Sequence, residues 1–260
     1  MIFQGVSFCF STRNRHPPST MCTLEKRGNL FVLTLNGSNY QHRFNSTLIS
    51  SFRSALSQVK SQATLGSALV TISEGKFFSN GLDLSWVQAA GSPQGAVQRI
   101  RHLVDSFKSL VADLMSLPMP TVAAISGHAA AAGFLLALSH DYVVMIRDKA
   151  VIYMSEIDIG ATIPDYFGAM IRGKIGSAPA QRNILLSGAK IKGEEAARLG
   201  IVDSAHDSVE STVEAAMRMG EKLGSRKWDG VVYAEIRKGL YPELIVVLGL
   251  ETKAIATPKL

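Results

Sequence analysis

Along the chain, apolar positions come first as a short unbroken run and then at helical spacing. Leu30-Phe31-Val32-Leu33-Thr34-Leu35 is apolar and partly β-branched and stops at the turn pair Asn36-Gly37, which predicts a first strand. Asn45 then stands as an N-cap before Leu48, Ile49, Phe52, Leu56 and Val59, whose spacing puts them on one helix face. Residues 68–73 read as the next strand and close into Glu74-Gly75-Lys76. A long helix over residues 95–117 carries Ile100, Leu103, Val104, Phe107, Leu110, Val111 and Leu114 as a stripe, and Pro118 and Pro120 end it. Residues 121–126, 141–146 and 151–154 are further short strands, with an Ala-rich helix from about Gly133 between the first two. Strand and helix alternate as in an α/β core.

Beyond Gly176 the pattern turns helical, over residues 178–187, 193–199, 208–223 and 229–250, with no further strand. The last of these carries Val231, Val232, Ile236, Leu240, Leu244, Ile245 and Leu248 as an apolar face, which on composition suits packing within the chain better than a subunit contact. The organisation expected is an N-terminal extension over residues 1–23, a core over 24–205, a helical region over 206–257 and a terminal tripeptide at 258–260.

With 260 residues and 47% hydrophobic content, the chain can bury a full core. Charged residues make up only 18%, and the net +6 includes no Lys/Arg run able to track a phosphate backbone, which argues against nucleic acid. A mildly basic surface suits a small polyanion, and serves equally as ordinary solubility charge. Cys9 and Cys22 both lie near the start, where a disulfide staples little and no metal-ligand company stands nearby. The richest apolar stretch, residues 121–138, is interrupted by Ser126, Gly127 and His128, so no membrane span is expected. Residues 1–20 carry no acid, include Arg13 and Arg15 and precede Met21, reading as a disordered extension or a transit peptide. Pro258-Lys259-Leu260 is close to the Ser-Lys-Leu peroxisomal address.

Two segments carry the chemistry. In Lys76-Phe77-Phe78-Ser79-Asn80-Gly81-Leu82-Asp83-Leu84 a strand exit turns at Gly81 and enters a helix near Asp83, leaving the Leu82 N–H outward with no ladder partner. In Ala124-Ile125-Ser126-Gly127-His128-Ala129-Ala130-Ala131-Ala132-Gly133-Phe134 small residues let a ligand approach the backbone, and the Ala132 N–H offers a second donor at a helix start. Each segment alone also reads as ordinary structure, a plain Asn-Gly turn and a closely packed helix.

In this order and separation, the pair resembles the oxyanion-hole motifs of the crotonase superfamily, the enoyl-CoA hydratase/isomerase family. The likeness is reinforced by His42-Arg43-Phe44-Asn45, by residues 118–125 and by Ala196-Ala197-Arg198-Leu199-Gly200-Ile201-Val202-Asp203, and covers about residues 24–223. It implies a crotonase-like spiral of ββα units with a C-terminal helical region that packs trimers, often paired into hexamers. It also implies oxyanion donors at Leu82 and Ala132, with substrate contacts from Ser79, Asn80, Gly81 and Asp83 of the first segment and Ala131 and Gly133 of the second. A Lys that many members place after the first motif is replaced by Ser85-Trp86, which leaves the CoA phosphates to backbone groups around Arg43 to Asn45, with Arg43 and Phe44 as substrate-binding residues, and to Arg237 or Lys238 from the C-terminal helix. Trp86 either lines the acyl tunnel or fills core.

Members of the family differ in the carboxylates set around a shared anion hole. The first glutamate of a hydratase falls here on Leu135, which cannot activate water, and the second falls on Glu156. One carboxylate suffices to carry a proton along an acyl chain, so the resemblance is to the plant peroxisomal enoyl-CoA isomerases of the family. Asp158 and Asp165 are alternative bases; Glu156 is preferred because Asp is shorter and Asp158 suits a structural hydrogen bond. His128 reads as a packed or hydrogen-bonded residue and His140-Asp141 as a helix end. The alternatives are a hydratase or acyl-CoA hydrolase using an aspartate as an extra group, or a silent acyl-CoA-binding scaffold. No metal or separate cofactor is expected, CoA being part of the substrate. The partners expected are the acyl-CoA, copies of the same chain in a homotrimer or hexamer, and a peroxisomal import receptor.

Overall fold

The computed structural model describes residues 21–37 and 40–253, so Cys9, most of the N-terminal extension and the terminal tripeptide at 258–260 lie outside the described residues. The chain opens with an antiparallel pair, β1 (Cys22–Arg27) and β2 (Leu30–Leu35), followed by α1 (Ser46–Ser61). Three successive pairs of strands then repeat one plan: β3 (Ala68–Ser73) with β4 (Phe77–Ser79), β5 (Thr121–Ile125) with β6 (His128–Ala130), and β7 (Tyr142–Ile146) with β8 (Ile152–Tyr153). The first strand of each pair joins a six-stranded sheet of order β1-β2-β3-β5-β7-β9, with β9 at Ser204–His206, and the second joins a three-stranded sheet of order β4-β6-β8. Helices α2 (Leu84–Gln88) and α3 (Pro93–Met115) follow the first pair, α4 (Ala132–Leu138) the second and α5 (Asp165–Lys174) the third. This is the ββα spiral. The chain finishes with α6 (Ala178–Leu186), α7 (Gly193–Arg198), α8 (Val209–Gly224), α9 (Gly230–Leu240) and α10 (Pro242–Leu248).

Side chains alternate across the large sheet with period two. Phe31, Leu33, Leu35, Leu69, Ala123, Ile125, Val143 and Met145 enter the main core with α1 and α3, whereas Leu30, Val32, Val70, Val122, Ala124 and Val144 pack on the opposite face against Ala216 of α8. Each fully buried Leu, Ile or Phe contributes about 1.5–3 kcal/mol. The Asn45 cap is made as its sequence position demands, its side chain accepting from the Leu48 N–H at 3.0 Å.

The structure corrects several expectations. Leu30–Leu35 is the second strand, because β1 begins at Cys22, inside the stretch expected as extension. An edge strand exposes most of its side chains, and β1 fully buries only Cys22, so its pattern reads as polar. β9 was hidden for the same reason, none of its residues being fully buried, and it carries the core sheet across the expected boundary at 205/206. The single helix expected over 229–250 is two, since Tyr241 leaves helical geometry and Pro242 starts α10. Its apolar face is split: Leu244, Ile245 and Leu248 are buried, whereas Val231, Val232, Ile236 and Leu240 stand exposed rather than packing within the chain. No helix among the described residues is long and apolar enough to cross a membrane.

Candidate active site

The two chemistry-bearing segments meet where β4 and β6 run side by side. Gly81, at φ +77, turns the chain out of β4, and the loop is fastened to residue 44: the Phe44 N–H donates to the Gly81 carbonyl at 2.8 Å and the Asp83 N–H to the Phe44 carbonyl at 3.0 Å. Leu82 sits between those two bonds, and its own N–H has no protein acceptor among the described residues. Across from it Ala131 adopts φ 48, ψ −120, a conformation an L-residue holds at a cost of about 1–3 kcal/mol. That strain turns the following peptide, so that the Ala132 N–H opens α4 unpaired while the Ala131 N–H bonds the Tyr153 carbonyl at 2.9 Å.

Two glycines let the segments come this close. A Cβ at Gly81 would lie 3.6 Å from the Ala132 nitrogen, and a Cβ at Gly133 would lie 2.3 Å from the Ser79 carbonyl oxygen, an approach no side chain tolerates. Leu82, Ala131, Ala132 and Asn80 line a cavity of about 130 Å³ together with Glu156, Leu84, Ile100, Val104, Ser155, Ile159, Ala161, Thr162, Pro164 and Phe167. Glu156 stands just past β8, where Asp158, Ile159 and Ala161 wind the loop into a turn on the carbonyls of Ser155 and Glu156. Its Oε2 is buried without a hydrogen-bond partner, and burial raises its pKa, opposed only in part by nearby backbone N–H groups. Leu135 is fully buried in the core.

A second, larger cavity of about 440 Å³ adjoins this one on the other side of the Leu82-Asp83 step, lined by Tyr40, Gln41, His42, Arg43, Asn45, Asp83 and Ser85 among others. Asn80 on the wall of the smaller cavity donates to the Gln41 side chain on the wall of the larger one at 2.6 Å. Asp83 caps α2, accepting from the Trp86 N–H and the Ser85 hydroxyl.

Several expected contacts fall elsewhere. The Phe44 ring is fully buried, 4.9 Å from that of Phe107, and its backbone is spent holding the Leu82 loop. Ser79 is buried and its hydroxyl donates to the His42 carbonyl at 2.7 Å, a structural tie. Trp86 packs against α3 with the Arg99 guanidinium 4.8 Å over its ring and lines neither cavity, so of its two readings the structure favours packing. Arg237 is 3% exposed and bound to Asp141 and to the carbonyls of Met115, Leu117 and Met119, out of reach of any phosphate; Lys238 pairs with Glu235. Asp158 and Asp165 are exposed and absent from the cavity wall, Asp165 standing in the first turn of α5 and accepting from the Tyr166 N–H at 2.7 Å. His128 accepts from the Val151 N–H, a packing role. Sequence reasoning passed over Ile100 and Val104, whose helical spacing marks them only as core, and Phe167 and Ile159, which carry no motif.

In this ββα spiral the facing loops bring two unpaired amides and one carboxylate with an unpartnered oxygen to a single cavity. The enoyl-CoA hydratase/isomerase family model matches residues 25–243, and the chain belongs to that family. It is 61% identical over 241 residues to the protein named enoyl-CoA delta isomerase 2, peroxisomal, of Arabidopsis thaliana, covering 92% of this chain and all of that one. It is 48% identical to enoyl-CoA delta isomerase 1, peroxisomal, of the same plant, over 87% of this chain and 92% of that one. Among solved structures, an enoyl-CoA isomerase of Mycobacterium tuberculosis superposes with a TM-score of 0.78 at 20% identity, covering 88% of this chain and 95% of that one, a likeness of fold.

Proposed function

We propose that this chain is an isomerase that moves the double bond of a 3-enoyl-CoA to the 2-trans position in fatty-acid β-oxidation. The observation that carries the reading is Glu156, the carboxylate that shares a cavity with the Leu82 and Ala132 amides, while Leu135 stands where a hydratase needs its other glutamate. Glu156 takes a proton from the alpha carbon, and the resulting dienolate places its charge on the thioester oxygen between the two amides. The same carboxyl then returns the proton to the gamma carbon. A positioned base of this kind contributes about 10²–10⁴ in rate, and each preorganised donor about 10²–10³. An apolar wall suits such a base, because burial lifts its pKa toward the value that both accepts and releases a proton.

The CoA portion lies along the larger cavity, with Arg43 as its cationic contact. A hydratase reading lacks its second group, since Asp158 and Asp165 stay outside the cavity. The names of the Arabidopsis relatives support both the activity and a peroxisomal location, and Pro258-Lys259-Leu260 is the address that a peroxisomal import receptor would read. The exposed Val231, Val232, Ile236 and Leu240 of α9 suit a homotrimer or hexamer. Purified protein given a 3-enoyl-CoA is expected to generate the absorbance of the conjugated thioester without consuming 2-enoyl-CoA. Glu156→Gln abolishes this and leaves CoA binding intact; a fully active Glu156→Gln enzyme overturns the assignment.

A further inference from the structure

The cavity beside Glu156 measures about 130 Å³ and is open on one side. The thioester carbonyl and the carbons that react take the positions beside Glu156 and the two amides, and the rest of a longer acyl chain has to run on from there. Inward the way is closed. Phe167 is 2% exposed and stands edge-on to Tyr166, both rings pack on Phe107, and the Tyr166 hydroxyl ties α5 to α3 by donating to the Val104 carbonyl at 3.0 Å. Outward the wall is thin, because Ile159, Ala161 and Thr162 line the cavity and are exposed at the same time.

The opposite wall is α3. Val97, Ile100 and Val104 share one face of it at i, i+3 and i+7, running from an exposed Val97 (46%) to the half-buried residues at the cavity itself. On the facing loop Ile159 and Ile163 are exposed as well. From this arrangement, and resting on the acyl-CoA reading above, we infer that the tail of a long linear acyl chain leaves between the Val97–Ile100 stripe and the Ile159–Ile163 loop. This open groove, rather than the depth of a closed pocket, sets chain-length preference. Val97 and Ile159 are its specificity-determining residues.

A methylene moved fully out of water adds about fourfold in affinity, and a half-open groove returns part of that. Saturated acyl-CoAs bound to the full-length protein and followed by calorimetry test the groove without requiring turnover. Dodecanoyl-CoA is expected to bind at least tenfold tighter than hexanoyl-CoA. Val97→Asp or Ile159→Asp is expected to cut that ratio about tenfold, together with the matching ratio of kcat/KM for the 3-enoyl substrates. A flat length series in the unaltered protein overturns the inference, as does a ratio indifferent to both substitutions. So does a Phe167→Ala variant in which the ratio climbs tenfold, since the tail would then run inward. Length-dependent binding with no isomerisation would sink the isomerase reading and leave the groove standing; isomerisation of short chains with flat binding would do the reverse.

Discussion

Asp141 and Glu156 are both carboxylates drawn out of bulk water, and the chain surrounds them in opposite ways. Asp141, just before β7, is met from every side: Arg237 reaches both oxygens at 2.6 Å, the Thr121 N–H and hydroxyl donate at 2.9 and 3.1 Å, and the Tyr233 hydroxyl at 3.2 Å. Burial by itself drives that carboxyl upward, and the Arg237 guanidinium, the Lys174 ammonium and the Thr121 N–H together outweigh it and hold the group below the ordinary carboxylate range. Glu156 has an oxygen with no partner at all, and burial leaves its pKa raised. One group is locked in its charged form and fastens α9 to the core; the other is kept able to change charge. What separates the two carboxylates is therefore the number of donors aimed at each.

Removing the donors around Asp141 should give the largest effect. Arg237→Ala strands a buried carboxylate and leaves the carbonyls of Met115, Leu117 and Met119 without their donor. Breaking such a pair costs about 3–5 kcal/mol, read as a lower urea midpoint. Adding Asp141→Asn to that variant should recover part of the loss. An Arg237→Ala protein as stable as the parent would mean that the pair does not fasten α9.

Gly133→Ala acts at the other region. The new Cβ meets the Ser79 carbonyl, so the two segments must separate. Overpacking of this kind costs about 1–3 kcal/mol in stability. Carrying the Ala132 amide away from its partner lowers kcat by about 10². A variant that loses stability but keeps kcat would show that the Ala132 amide is not a donor to the transition state.

Acid separates the two carboxylates directly. Glu156 works as a base only when ionised, and its pKa is raised above 4.5, so kcat/KM falls as pH drops through a value above 4.5. Asp141 is depressed below 3.8, so the stability it supplies is present above that value and is lost only as pH falls further, through its folded pKa. Activity is thus expected to vanish while circular dichroism still reports a folded chain. Coincident loss of both would remove the distinction.

The same contrast explains what the sequence disclosed. Elements that bury a full face were legible from periodicity, as α1 and α3 were from Leu48, Phe52, Leu103 and Phe107. The meeting of the two loop segments at one cavity was legible because it is made by backbone, and backbone geometry is written in small residues such as Gly81, Ala131 and Gly133. Edge strands such as β1 and β9 were illegible because they bury too little to show a period. Arg237 was misread as a phosphate ligand because its fate depends on Asp141, a partner far away in the chain. Distant pairing leaves no local pattern, and for the same reason the apolar wall of Ile100, Val104 and Phe167 was indistinguishable from core.

The smallest expected effect is on the stability of Glu156→Gln, and its sign is diagnostic. Because the folded pKa of Glu156 lies above its unfolded value, the folded state holds the proton more firmly, and the parent protein loses stability as pH rises from the unfolded value through the folded one. Gln has the same shape and no charge to desolvate, so it escapes that loss. At pH 8 the variant should be more stable than the parent by on the order of 1 kcal/mol, the usual cost of a functional group held where stability alone would not place it. That corresponds to a rise in Tm of roughly 2–4 °C for a chain of this size. Well below the unfolded value the carboxyl is protonated in both states and the difference should shrink toward zero. A variant less stable at pH 8, with the gap closing in acid, would mean that Glu156 is held in charged form by donors, as Asp141 is, and is not poised to move a proton.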